Sequence, residues 1–441
     1  MTHSYRQRGS VLAGVLLLAA TLPGQFIDRG KDPVDVLPLA PWTKSEIPHL
    51  EWSKPPRSHI VNPGFFCTSC AKEKRIRFRK RSEMEEILSA GFPIRRPNQR
   101  RKTPFRLMGE PGPYVLRYLF DEMEPEHPVY IEDHLFRLFC DLGPGDIARP
   151  NKERTALELE ALRQVFPKLS ATTSRLTSHQ RAHLYLIRAH RVLRDVLNLV
   201  DFKENDSYFW RYGPYLGNRQ KFEIYLFDRQ KTLSRFITAY RGNYEDLFGF
   251  DYYIKKDEAN VMAACPPKAR DHLLNATFTH RLAVNLLAGY RGRHQFLPAW
   301  FFLAFGHLLE RRESGRIATL VLGDQPARAG FDLRSFQDDV VRRVKANKYP
   351  PFASLCKKTR LQDVSVRLRP VIWSQLRYLL SLGRPEFARF IGRMKAVMSG
   401  KSTIRTQLKA FKDIYHLTPE EFEEGWRAWV LEGMPGVPRS R

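Results

Sequence analysis

Asn275-Ala-Thr-Phe-Thr-His280-Arg-Leu282 and Leu297-Pro-Ala-Trp300-Phe-Phe-Leu303-Ala-Phe-Gly-His307-Leu-Leu-Glu310 decide how this chain is read. Both stretches fall in the apolar region between Lys268 and Arg312, which reads as two helices split by a basic loop over Gly289 to Gln295. His280 stands on the first helix. On the second, His307 and Glu310 stand three residues apart, on one helix face. Glu310 is also two turns beyond Leu303, which places it on that residue's face as well.

The pair resembles the core of gluzincin-type, thermolysin-like metallopeptidases (the peptidase-MA-like family). There a helix bearing H-E-x-x-H is followed by a loop and a helix opening as L-P-x-W-x-x-E-G. Histidines at i and i+4 share a helix face and grip zinc. The intervening Glu is the general base on the metal-bound water, and the downstream Glu is the third ligand. Aligned on His280 and on Leu297 to Trp300, the resemblance implies Ala276 at the first ligand position and Thr277 at the base position. It implies His280 at the second ligand position and Leu303 at the third. Ala and Leu carry no donor atom, and a threonine hydroxyl is a poor base at neutral pH. The resemblance therefore implies the fold without its reaction: a non-catalytic pseudo-peptidase, no cofactor, and a former cleft serving as a binding or scaffold surface. The resemblance leaves the partner unknown, with a protein bound in that cleft as one candidate and, from the net charge, an anionic envelope polymer as another. The likeness runs from Glu153 to Leu431. Gln180 to Tyr185, Phe222 to Phe227 and Glu420 to Val430 are similar to segments flanking the core in exported bacterial members.

Two histidine groups leave alternatives open. His280, His307 and Glu310 would form a non-standard zinc site, and the protein would then be a metallopeptidase of unusual design. The preferred reading is that His307 and Glu310 end an amphipathic helix, with Glu310 pairing Arg311 or Arg312 in solvent. His179, His183 and His190 line up on one face of another helix, and the first pair has metal-ligand spacing. That helix also carries Arg181, Arg188, Arg191 and Arg194, a poor setting for a dication, so a polar or half-buried face is expected.

The N-terminus sets the compartment. Arg6 and Arg8 precede the apolar run Val11 to Leu22, closed by Pro23-Gly24. Twelve helical residues rise about 18 Å against a hydrocarbon core of about 30 Å. Residues 1–24 thus read as an export signal, with an uncleaved anchor as the other reading. Residues 25–150 are rich in Pro and Arg and are expected to be irregular. Lys72, Lys74, Arg75, Arg77, Arg79, Lys80 and Arg81 surround Phe78 there, a solvated loop or a grip for a polyanion. The net charge of +26 attracts anions of any kind, and binding of that sort weakens steeply with salt.

Five cysteines are too few for a disulfide scaffold. Cys67-Thr-Ser-Cys70 lacks a second CxxC for a zinc ribbon, so a local disulfide or two thiols is expected. Cys265, before Pro266-Pro267, has no evident base. No G-x-S-x-G elbow, P-loop or dinucleotide fingerprint is present.

Helical periodicity begins at Glu153 and runs to Phe166, with Leu157, Ala161, Leu162 and Val165 on one stripe. Thr177 or Ser178 caps a helix to Leu199, and Lys221 to Phe227 alternates as a strand. Phe331–Asn347, Val371–Leu382, Pro385–Met398 and Pro419–Leu431 read as helices. The length predicts two or three folded units. The expected architecture is α+β and helix-rich: a gluzincin-like core over residues 151–320 (zincin helix pair plus small sheet) and a helical part over 321–434.

Overall fold

The protein is described here by a computed structural model, over residues 66–67, 69, 127–133, 135–147, 152–202, 215–218, 221–241, 249–254, 259–265, 271–292, 297–314, 319, 336–358, 360–395 and 404–436. The expected export signal, the Lys72–Arg81 cluster, Cys70 and part of the Gly289–Gln295 loop lie outside these residues.

The chain forms a helix-rich α+β fold around a small mixed sheet. Strands β1 (Phe66–Cys67), β2 (Val129–Glu132) and β3 (Phe136–Asp141) pair antiparallel in turn. A separate ribbon joins β4 (Gly145–Asp146) to β5 (Arg175–Leu176). Between those two strands runs helix α1 (Lys152–Val165), and after β5 comes α2 (Ser178–Leu199). Strand β6 (Phe222–Phe227) then returns parallel to β3. Helix α3 (Gln230–Arg241), edge strand β7 (Gly249–Ile254) and β8 (Ala259–Ala264) follow, giving the order β1-β2-β3-β6-β8-β7. Only β7 runs against β8 at that edge, whereas β6 and β8 are parallel.

Strands β2 and β3 lie inside the 25–150 segment that proline content marked as irregular. A short apolar run behind Pro128 carries no helical period, and its pairing with a strand eighty residues later is a tertiary event. Strand β6 shows the same logic. Its alternation separates Glu223, Tyr225 and Phe227 from the other face, yet all six residues are buried. Parallel strands are covered on both faces, and Glu223 is tolerated there because Arg137 at 3.3 Å and the Tyr225 hydroxyl at 2.7 Å satisfy it.

Helix α2 forms where expected. Thr177 accepts the Gln180 N–H, and the Gln180 side chain accepts the Thr177 N–H, a capping box. The helix is buried nearly all round instead of on one face. Its arginines are consumed by an internal charge network. Arg188 makes paired bonds of 3.0–3.1 Å to both Glu158 of α1 and Asp271, and Tyr185 donates to Asp271 at 2.8 Å. Arg191 pairs Glu158 at 2.9 Å and also Glu313, while Arg181 donates to the Gly143 carbonyl at 2.5 Å. Burial alone would raise the Glu158 carboxyl, but Arg188 and Arg191 outweigh it and hold the group down at about 2.

After β8 the chain enters α4 (Asp271–Gly289) and α5 (Ala299–Ser314), the two expected apolar helices, which pack against each other. The C-terminal part is helical as expected: α6 (Phe336–Lys345), α7 (Phe352–Cys356), α8 (Arg369–Leu382), α9 (Arg384–Lys395), α10 (Ile404–Tyr415) and α11 (Pro419–Leu431). Helix α8 packs on α5. Trp300, the tryptophan of the L-P-x-W opening, is sealed by Phe301 and Phe352 at 5.5 and 5.2 Å and donates to Gln407 at 3.3 Å. Each such ring contributes roughly 1.5–3 kcal/mol by burial. One cluster of buried apolar side chains runs from Cys67 through Trp300 to Met434, so the sheet and the C-terminal helices share a core. Among the described residues no helix is long and apolar enough to cross a membrane.

Candidate metal centre

His280 comes from the middle of α4, and His307 and Glu310 come from one face of α5. Their spacing on α5 is one turn, so both side chains point the same way. The close approach of the two helices depends on Gly306. A Cβ at that position would stand 2.6–2.8 Å from three atoms of the His280 ring, so only a glycine leaves the imidazole its seat. The two imidazole centroids are 4.5 Å apart.

Glu310 Oε2 is the focus. It lies 3.0 Å from His307 Nδ1, in a hydrogen bond, and 3.3 Å from His280 Nδ1, off hydrogen-bond alignment. Its other oxygen accepts from the backbone N–H and hydroxyl of Thr319 at 2.7 and 2.8 Å. Exposure is 1% for His280, 1% for His307 and 0% for Glu310. Burial, the facing His280 and the Arg369 guanidinium depress His307 to about 3, leaving it neutral. Burial would raise Glu310, but the two facing imidazoles outweigh it and hold the carboxyl at about 2. A neutral imidazole and an ionised carboxylate are the protonation states that metal ligation requires.

The distances also fit. For ligand bonds of about 2.0–2.1 Å, tetrahedral zinc sets neighbouring N and O donors about 3.3 Å apart. The observed separations are 3.0 and 3.3 Å, and donor atoms of all three residues lie within 4.8 Å of one another. His307 Nε2 is buried with no hydrogen-bond partner. Thr319 is placed as an outer partner that orients the carboxylate. The Arg369 charge opposes cation binding.

These positions correct the preferred reading of the sequence. Glu310 does not pair Arg311 or Arg312 in solvent: it is wholly buried and faces two histidines. Arg312 instead pairs Asp195. Ala276, Thr277 and Leu303 are all buried. The His280 ring meets Gly306, His307 and Glu310, one to two turns beyond Leu303. Gly306 and Thr319 were not singled out from the sequence. A glycine in the middle of an apolar helix is the signal that marks the first; Thr319 reaches Glu310 only through the tertiary fold.

The histidine stripe on α2 divides. His190 turns to Asp133 at 2.5 Å and packs edge-on to Phe136. His179 and His183 turn toward β1. Cys67 is buried, with its Sγ 3.4 Å from His179 Nε2, and its sequence neighbour Cys70 lies outside the described residues. Cys265 is buried, and burial raises its thiol to about 12, which removes it as a nucleophile.

No family model, curated protein or solved structure matches this chain.

Proposed function

We propose that this chain is an exported, metallopeptidase-like protein that binds a divalent cation without using it to hydrolyse peptides. His280, His307 and Glu310 are its ligands, zinc is the metal their donor types favour, and the two helices belong to a gluzincin-like core. In this reading the protein works as a binding or scaffold component of the cell envelope, and its +26 charge favours anionic polymers as neighbours.

The observation that carries the metal is Glu310 Oε2, buried and faced by two imidazoles at 3.0 and 3.3 Å. Two further features support the loss of hydrolysis. The ligands are at most 1% exposed, which leaves no path for a substrate carbonyl. Glu310, the carboxylate at the centre, is committed to His307 and Thr319, so it is not available as a base. The apolar helix pair that leaves β8 supports the gluzincin-like core, and Trp300 in its buried aromatic seat supports the L-P-x-W alignment.

Metal analysis of the full chain, purified without a chelating tag, tests this. Wild type is expected to retain zinc, and the His280→Gln/Glu310→Gln variant to retain one equivalent less. Equal metal content in the two proteins would remove the centre. Peptide hydrolysis that a chelator abolishes and zinc restores would remove the non-catalytic reading.

A further inference from the structure

We infer that Cys67, His179 and His183 form a second zinc site, a structural one, that fastens edge strand β1 to the start of helix α2. It is independent of the His280 centre and uses none of its residues.

The ligand geometry is the first argument. Cys67 Sγ lies 3.4 Å from His179 Nε2. With Zn–S near 2.3 Å and Zn–N near 2.0–2.1 Å, a tetrahedral site sets those atoms about 3.5 Å apart. His179 and His183 stand at i and i+4 in the first two turns of α2, with ring centroids 5.0 Å apart. Donor atoms of all three residues lie within 4.8 Å of one another. Phe166, just past the end of α1, packs edge-on to both rings at 5.0 and 5.3 Å and fixes their planes.

The surroundings are the second. The three side chains are 0%, 8% and 3% exposed. Cys67 is held by the β1 ladder, opposite Ile131 of β2, so its position does not depend on a mobile loop. Three arginines of α2, which by sequence repel a dication, are engaged elsewhere: Arg181 on Gly143 and Asp228, Arg188 and Arg191 on buried carboxylates. A thiol beside an imidazole is also the arrangement of a nucleophile and its base. Complete burial of Cys67 removes that use, because no substrate reaches it.

The sequence is the third. His179-Gln-Arg-Ala-His183 has the H-x3-H spacing of a zinc-ligating pair.

Cobalt(II) reports this site selectively, because only a thiolate ligand gives a near-ultraviolet sulfur-to-cobalt charge-transfer band. The full-length protein, stripped of metal and loaded with cobalt, is expected to show the band. It should be lost in Cys67→Ser and kept in His280→Gln/Glu310→Gln, which separates the two centres. Titrating zinc-loaded wild type with a thiol-capping mercurial is expected to release one equivalent of zinc. No charge-transfer band in wild type, or a band that survives Cys67→Ser, overturns the site; because the first of these needs no variant, a misfolded Cys67→Ser protein does not rescue it.

Discussion

Gly306→Ala tests whether the His280 seat is built as described. The added Cβ would lie 2.6 Å from Cε1, 2.7 Å from Nδ1 and 2.8 Å from Nε2 of His280. Ordinary contact begins at 3.4 Å, so the ring must retreat by 3.4 − 2.6 = 0.8 Å. It has nowhere to go, being 1% exposed between two packed helices. Overpacking of this kind costs about 1–3 kcal/mol. Replacing a mid-helix glycine by alanine returns about 0.5–1 kcal/mol. The metal-free variant should therefore lose on the order of 0–2.5 kcal/mol in urea unfolding. Metal retention should fall far more, since 0.8 Å exceeds the roughly 0.2 Å tolerance of a ligand bond. The decisive quantity is the double-mutant cycle with His280→Ala. Once the ring is gone the alanine fits, so a coupling of about 1 kcal/mol or more is expected. Gly306→Ala that keeps its metal and shows no coupling to His280→Ala would refute the geometry.

Two other outcomes follow from the charge network inside the helical layer. Arg188→Met leaves Glu158 and Asp271 buried without their shared cation and should cost about 3–5 kcal/mol, with Asp271→Asn in the same protein recovering part; a urea-unfolding loss under about 1 kcal/mol would contradict the pairing. Glu158 is held at about 2 in the folded protein against an ordinary 4.5, so the unfolded chain binds its proton first. Its contribution is complete above pH 4.5 and is lost as pH falls toward 2; acid unfolding followed by circular dichroism should be shallower over that window in Glu158→Gln.

Much of the helical framework was legible because it depends on local chemistry. The Thr177–Gln180 capping box set the start of α2, and Pro419 behind Thr418 set the start of α11, both at the expected residues. The paired apolar helices were legible for the same reason, since a run without charged interruptions declares burial. Strands β2, β3, β7 and β8 were not. A four- to six-residue apolar run has no period to distinguish it, and its register is fixed by partners far along the chain. Helices α3 and α10 were also missed.

By itself the sequence determined that no H-E-x-x-H motif is present. It also offered His280, His307 and Glu310 as an alternative metal set, while preferring Glu310 in solvent. Only the tertiary structure decided that they meet. Spacing along one helix says which side chains share a face, but the facing helix, and a glycine that lets it come close, decide what lies opposite. The same is true of Cys67, brought to His179 across 112 positions of sequence. The arginines around those histidines read as repulsive in one dimension. In three, Arg188 and Arg191 are neutralised by Glu158, Asp271 and Glu313, because a charge's effect is set by its nearest partner in space and not by its neighbour in the chain.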